Sequence, residues 1–164
     1  MSKILIVDSS TIIALERADL IKFLGRLNYK LIIPQSVEEE IKNKNTLKFF
    51  NTQELKGRTL KYSKSLEQLN IGKGESQCCA LANKLKLKFI ICDDRKFIRQ
   101  KFLLGSRQMQ NISVLGFSFF LHVFHKKGLI KNVWEHFDKI IKLNNWERSE
   151  VLIANYTFLK DMGY

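Results

Sequence analysis

Short apolar runs rich in β-branched residues alternate with helical patterns along this chain, and this alternation does most to limit its fold. Such runs are typical of strands buried on both faces of a parallel sheet. Strands that alternate with helices indicate right-handed crossovers. We therefore predict an α/β fold, a three-layer α/β/α sandwich with a short parallel central sheet and a helical C-terminal tail. The predicted strands are Ile4–Val7, Lys30–Ile33, Lys88–Cys92 and Ile112–Leu115.

Helical patterns fill the segments between these strands. Ser36 begins one helix, and Glu39 three residues later completes the pattern of a capping box. The Lys-rich residues 44–70 are also expected to form helices. The remaining predicted helices are two over Ile12–Leu27, one each over Glu75–Leu85, Arg95–Leu104 and Phe117–Lys127, and a wholly helical tail from Lys131.

The charge of the chain is strongly positive. Twenty-eight Lys and Arg residues face 16 Asp and Glu residues, for a formal net charge of +12. This excess favours a polyanionic partner, with nucleic acid first. The alternative is that a Lys-rich surface only keeps the protein soluble.

Cysteine usage and hydropathy indicate a soluble cytoplasmic protein. Cys78, Cys79 and Cys92 lack CxxC spacing and cannot all pair, so we predict buried, reduced thiols. No N-terminal signal is visible. The longest apolar stretch, Val114–Phe124, is too short to span a bilayer.

Acidic residues lie where a predicted strand ends or a predicted helix begins. They are Asp8, Glu40, Glu75 and the adjacent pair Asp93 and Asp94. Sites in open α/β sheets are built at the carboxyl ends of strands, so these side chains are expected to converge. Converging carboxylates repel one another unless a cation lies between them, and hard oxygen ligands select Mg²⁺ or Mn²⁺. The sequence therefore predicts a divalent-metal site that acts on phosphates.

Asp8, Glu75 and one residue of the Asp93–Asp94 pair also have a structural explanation, whereas the expected burial of Glu40 is explained by a metal or its bound water. Asp8 could cap the following helix, but the hydroxyls of Ser9–Thr11 could do so instead and leave Asp8 free. Glu75 could simply be a favourable charge at a helix start. Glu40 is expected on the buried side of its helix. One residue of the Asp93–Asp94 pair could cap a helix while the other points into the site, and the sequence leaves open which.

Taken in chain order, several segments resemble PIN-domain ribonucleases, especially the VapC-type toxins and their relatives. The segments are VDSSTIIAL, IPQSVEEEI, GKGESQCCALA and FIICDDRKFIR, and VLGFSFFLHVFHKKGLI is similar to the helical end of that family. Each motif is short, so the specificity lies in the ordered set, which covers Lys3–Ile130. The resemblance implies a PIN-like nuclease domain over 1–130, with 131–164 as a helical extension packed on the same domain.

The same resemblance implies a metal-dependent endoribonuclease that hydrolyses RNA phosphodiester bonds. Asp8, Glu40, Glu75, Asp93 and Asp94 would be its catalytic residues and would hold Mg²⁺ or Mn²⁺, with a choice between Asp93 and Asp94. The chain departs from the family pattern after the last strand, where many members carry a further acidic residue and residues 111–116 have none. The implied partners are RNA, a small antitoxin protein and a second copy of the chain in a homodimer.

Substrate contacts are expected from hydroxyl and basic side chains. The resemblance implies that Ser9 or Ser10 orients Asp8 or a metal-bound water. The preferred phosphate-binding residues are Lys73, Arg95 and Arg99. Further candidates for RNA contacts are Lys96, Lys101, Arg107, Lys126 and Lys127. His122 and His125, three residues apart on one helix, are expected at an interface or in solvent rather than at a metal.

Two other classes of protein remain open. A non-catalytic PIN-like module that binds RNA or regulates would keep the fold and lose the metal. A phosphotransfer enzyme of the haloacid-dehalogenase kind also places an Asp after a strand. That class needs a second Asp two residues later, where this chain has Ser10, so we rank it low.

Overall fold

A computed structural model describes residues 3–104 and 111–164 of the chain. The strands in the described residues are β1 (Lys3–Ile6), β2 (Tyr29–Pro34), β3 (Asn51–Gln53), β4 (Phe89–Ile91) and β5 (Ser113–Leu115). The helices there are α1 (Ser9–Arg17), α2 (Gln35–Glu40), α3 (Lys44–Leu47), α4 (Gly57–Glu67), α5 (Lys73–Lys84), α6 (Arg95–Leu104), α7 (Ser118–Lys126), α8 (Val133–Leu143) and α9 (Glu150–Asp161), with a 3-10 helix at Ile21–Arg26.

All strand pairs are parallel. β1, β2 and β3 form one sheet in that order, and β4 pairs with β5. A parallel bridge between Val7 and Ile91 joins β1 to β4, and the Asp8 N–H donates to the Ile91 carbonyl at 2.8 Å. The strand order is therefore β3–β2–β1–β4–β5. The chain passes from β1 outward to β2 and β3, then crosses to β4 on the other side of β1 and continues outward to β5. The crevice between the ends of β1 and β4 is therefore the topological switch point where such sheets bind ligands.

The α/β fold with a short parallel sheet and the helices expected over residues 44–70 are confirmed, whereas a strand between those helices was not predicted and one predicted cap is wrong. Residues 44–70 include β3 between two helices. This edge strand is exposed at Asn51 and Thr52, so it lacks the apolar pattern that marks the buried strands. The capping box at Ser36 is absent, because α2 begins after Pro34 and the Ser36 hydroxyl donates to Gln77 Oε1 at 2.8 Å.

Helices cover the sheet and bring the tail against the body of the protein. α5 contacts β1, β2 and β4, and α4 packs against α5. α8 contacts α1 and α7, while α9 contacts α6, α7 and β5. The division at residue 130 stays a prediction. All three cysteines are free and buried, as predicted.

Candidate metal centre at the carboxyl ends of β1 and β4

Asp8 follows β1 and is almost completely buried, with 1% of its surface exposed. Its Oδ2 accepts hydrogen bonds from the Ser10 N–H at 3.1 Å and the Ser10 hydroxyl at 2.7 Å. Asp8 is therefore the N-cap of α1, and the expectation that the hydroxyls would cap in its place is wrong. Its other oxygen, Oδ1, is buried and has no hydrogen-bond partner among the described residues. One carboxylate thus caps a helix and still leaves an oxygen unpaired.

The unpaired oxygen makes the ionised form of Asp8 costly. Burial raises the pKa of Asp8, the bonds from Ser10 oppose that rise, and the negative charge of Glu40 adds to it. A buried carboxylate with an unpaired oxygen is stabilised either by taking up a proton or by acquiring a cationic partner.

The first turn of α5 approaches this oxygen closely. A Cβ placed on Gly74 would lie 3.2 Å from Asp8 Oδ1 and 3.7 Å from Glu40 Oε1. Glycine at this position therefore lets the helix start pass next to both carboxylates. The helix start also favours negative charge there.

Glu75, the next residue, is partly buried in the same crevice. Its pKa rises to about 7, first because of burial and then because of the negative charges of Asp8, Asp94 and Glu40. The negative charges of three other predicted site residues therefore act on Glu75. The assignment of these residues as metal ligands stays a prediction.

Glu40 lies at the exposed rim of the crevice, so its predicted burial is wrong. α2 ends at Glu40, and Ile41 turns to extended backbone. Glu40 and Ile41 are therefore not consecutive positions of one helix, as the prediction of burial assumed. The Glu40 carboxylate accepts a hydrogen bond from the Ser9 hydroxyl, which fixes it beside the start of α1.

The structure separates the roles of the two adjacent aspartates. Asp94 caps α6, with Oδ1 accepting from the Phe97 N–H at 2.6 Å. Asp93 points into the interior and is 1% exposed. Its Oδ2 accepts from the Thr11 hydroxyl at 2.6 Å and the Phe117 N–H at 2.8 Å, and its Oδ1 accepts from Asn155 Nδ2 at 2.8 Å.

Asp93 is thus a buried carboxylate held by neutral donors. Burial raises its pKa to about 6, while the bonds from Thr11, Asn155 and Phe117 limit that rise. Both of its oxygens are already bonded within the protein. Asp94, by contrast, contributes to the negative charge around Glu75.

Asn155 of α9 is a site residue that the sequence analysis missed. It is 1% exposed, donates to Asp93, and accepts from the Ser118 N–H at 2.9 Å. A Cβ on Gly116 would clash with both Asn155 and Asp93. The signal in the sequence was a polar residue four positions from Val151 and from Leu159 on an otherwise apolar helical stripe.

Cys92 is a second missed residue. Its thiol donates to Asp8 Oδ2 at 3.5 Å and accepts from the Asp94 N–H at 3.4 Å. Among the described residues, Asp8, Glu75 and Cys92 offer ligand atoms that all lie within 4.8 Å of one another. Burial raises the pKa of the Cys92 thiol well above its ordinary value. The neutral thiol is therefore a hydrogen-bond donor to Asp8.

The basic residues predicted to contact phosphate differ in their surroundings. Lys73 forms an ion pair with Glu39 at 3.7 Å, and the Arg99 Nη2 atom lies 2.6 Å from Glu150 Oε1 in a second ion pair. Arg95 is exposed on the first turn of α6, directly after Asp94.

Two other candidate cations have different surroundings. Lys101 is half-buried and donates to the Ile112 carbonyl, so it is not a free surface cation. Arg107 lies outside the described residues. His122 and His125 both contact the Tyr164 hydroxyl of the same chain, at 3.2 and 3.1 Å, and the expectation that they lie at an interface or in solvent stays a prediction.

The donor set fits a hard divalent cation. Asp8 contributes a buried oxygen that has no partner among the described residues, and a Glu75 oxygen lies within 4.8 Å of an Asp8 oxygen. The negative charge of Glu40 acts on both of them, and that of Asp94 acts on Glu75. Mg²⁺ and Mn²⁺ prefer such oxygen ligands. A cation here would also relieve the repulsion among the carboxylates.

Comparison with known families agrees with this geometry. A family model described as a PIN domain matches residues 4–157, so the match extends through the sheet, the acidic crevice and Asn155. The chain belongs to the PIN-domain family. PIN domains are generally nucleases, and they usually use divalent metal ions.

Comparisons with curated proteins and with solved structures gave no significant match. Within residues 3–104 and 111–164, no helix is both long and apolar enough to cross a membrane.

Proposed function

We propose that this protein is a Mg²⁺- or Mn²⁺-dependent endoribonuclease that hydrolyses RNA phosphodiester bonds. The observation that carries the proposal is the buried Asp8 Oδ1, which has no partner in the part of the chain that the structure describes and lies at the switch point of the sheet near Glu40 and Glu75. A cation supplies the missing partner for that oxygen. The membership of the PIN-domain family supports the nuclease class.

Asp8, Glu75, Glu40 and Asp94 would hold the ion. When bound, the ion supplies a water of lowered pKa and stabilises the charge that develops on the leaving oxygen. Asp93 would not bind the ion directly, because its carboxylate already accepts hydrogen bonds from Thr11 and Asn155. It would instead hold the neighbouring backbone in place from the interior.

The two serines orient ligands in this proposal. Ser10 fixes Asp8 Oδ2 and leaves Oδ1 for the ion, and Ser9 fixes the Glu40 carboxylate at the rim. No side-chain nucleophile is required for this chemistry.

RNA would approach the rim along a strongly basic surface. The net charge of +12 attracts the phosphate backbone, and in the sequence Lys73 lies two residues before Glu75 and Arg95 directly follows Asp94. Arg99 would need to leave Glu150 to contact a phosphate. The choice of RNA over DNA rests on the resemblance to the VapC-type ribonucleases. A toxin role, a small antitoxin partner and a homodimer belong to the same proposal.

The experiment is RNA cleavage by the wild type, Asp8→Asn and Asp138→Asn with Mg²⁺, Mn²⁺ or EDTA. Asp138 is an exposed aspartate of α8, so its variant controls for the loss of a surface carboxylate. Asp8→Asn is expected to lose at least about 100-fold in rate, since even indirect supports of a metal contribute 10–100-fold. Asp138→Asn is expected to cleave like the wild type.

Two results would refute the proposal. Equal cleavage by the wild type and Asp8→Asn would assign the activity to a contaminant. Absence of heat on titration with Mn²⁺, together with retained RNA binding, would favour the non-catalytic RNA-binding module. A DNA strand of the same sequence, tested in parallel, decides whether the substrate is RNA.

A further inference from the structure

The acidic crevice contains a sulfur ligand as well as oxygen ligands. Cys92 directly follows β4, the strand beside β1, and its Sγ is 3.5 Å from Asp8 Oδ2. Glu75 completes a group of three ligand atoms within 4.8 Å of one another. Cys78 and Cys79 are also buried, but they do not belong to this group of the described residues.

We propose that Asp8, Glu75 and Cys92 form a binding site for a thiophilic divalent cation of the Zn²⁺ class, and that this site overlaps the hard-metal centre. Zn²⁺ accepts one thiolate and two carboxylates as ligands and commonly keeps a fourth position for water. Mg²⁺ does not select sulfur. The same crevice therefore has one ligand set for a hard ion and another for a soft ion.

The unpaired oxygen of Asp8 supports this assignment independently of the thiol. Oδ1 is buried next to the start of α5, on the side where Glu75 lies, and no described group satisfies it. Glu75 is the least buried of the three ligands, so the crevice opens past it. A cation that enters there meets a carboxylate first, then the Asp8 oxygens and the sulfur.

Binding exchanges the Asp8–Cys92 hydrogen bond for metal–ligand bonds. The S–H bond breaks, the sulfur–metal bond forms, and the thiol proton passes to the solvent. Two carboxylates and one thiolate then face a dication, so the repulsion within the crevice decreases. Affinity for divalent metals of this ligand type rises from Mn²⁺ towards Zn²⁺.

One consequence concerns activity and rests on the proposed function. A thiophilic ion on Asp8 and Glu75 occupies the ligands that Mg²⁺ needs, so micromolar Zn²⁺ would inhibit RNA cleavage in millimolar Mg²⁺. In Cys92→Ser, the ratio of the cleavage rates with and without Zn²⁺ would then lie close to one, whatever the rate in Mg²⁺ alone. Metal binding by Asp8, Glu75 and Cys92 does not require that the protein cleaves RNA, so it is tested without RNA.

The test is a Cd²⁺ titration of the full metal-free chain, followed by the ultraviolet charge-transfer absorption of a cadmium thiolate. The wild type is expected to show the absorption with one equivalent of Cd²⁺. Cys92→Ser is expected to lose it, whereas Cys78→Ser and Cys79→Ser keep it. Glu75→Gln, which changes a partly exposed side chain, is expected to keep the absorption and bind Cd²⁺ at least about 10-fold more weakly.

Three outcomes would overturn the site: no absorption from folded wild type, absorption retained in Cys92→Ser, or absorption lost in Cys79→Ser instead. Circular dichroism of each variant confirms that it is folded. The Cd²⁺ result and the Asp8→Asn cleavage result are separate readouts. A protein that binds Cd²⁺ through Cys92 but cleaves no RNA would retain this site and refute the nuclease proposal.

Discussion

Glu75→Gln tests whether a charge that is partly buried beside other carboxylates costs stability when no metal is bound. The pKa of Glu75 rises from 4.5 to about 7 in the folded chain. At about 1.36 kcal/mol per pKa unit, the ionised side chain costs about 3 kcal/mol of folding free energy above pH 7. Glu75 is partly exposed, and solvent screening reduces this cost to about 2 kcal/mol. Glutamine keeps the shape and removes the charge.

The sign of the effect follows from the direction of the shift. The folded chain holds the Glu75 proton more tightly than the unfolded chain, so wild-type stability falls as pH rises from about 4.5 to about 7. Glu75→Gln does not undergo this loss. We expect the variant to be more stable than the wild type by about 2 kcal/mol near pH 8, and by less than about 0.5 kcal/mol near pH 4.5.

Urea unfolding in EDTA at both pH values measures this difference. Glu135→Gln is the matched control, because Glu135 is also an acidic residue in the first turn of a helix but is exposed. Saturating Mg²⁺ is expected to reverse the order at pH 8, since the ion stabilises the form that binds it. A variant that is no more stable than the wild type at pH 8 without metal would refute the reasoning.

The remaining predictions concern the support of the site and the approach of RNA. Asn155→Leu should destabilise the protein by about 2–4 kcal/mol in urea unfolding at neutral pH, because it removes a donor from the buried Asp93 carboxylate; an unchanged midpoint would contradict this role. Gly116→Ala should cost about 1–3 kcal/mol by the same measurement, since the added methyl displaces Asn155 and Asp93, and a neutral effect would show that both side chains can shift freely. Arg95→Ala should reduce the slope of log RNA affinity against log salt concentration by about one, as expected for the loss of one phosphate contact; an unchanged slope would show that Arg95 does not contact the RNA backbone.

The positions of several side chains at the acidic crevice depend on contacts between segments that are distant in the sequence. Asp93 and Asp94 are neighbours after one strand, and both could cap a helix. Asp93 turns inward because Thr11 and Asn155, from the two ends of the chain, supply its hydrogen bonds. Local sequence carries no information about that choice. The exposure of Glu40 likewise depends on where α2 ends.

The sequence by itself determined the buried strands, most helices and the family, because burial on both faces of a sheet and helix periodicity are properties of consecutive residues. It also determined that the acidic residues follow strands or begin helices, and that such positions meet at one edge of a parallel sheet. Only the tertiary structure decided that Asp8 retains an unpaired oxygen and that the Cys92 thiol lies beside it. Those two facts depend on the distance between β1, β4 and α5, which packing sets and no single segment specifies.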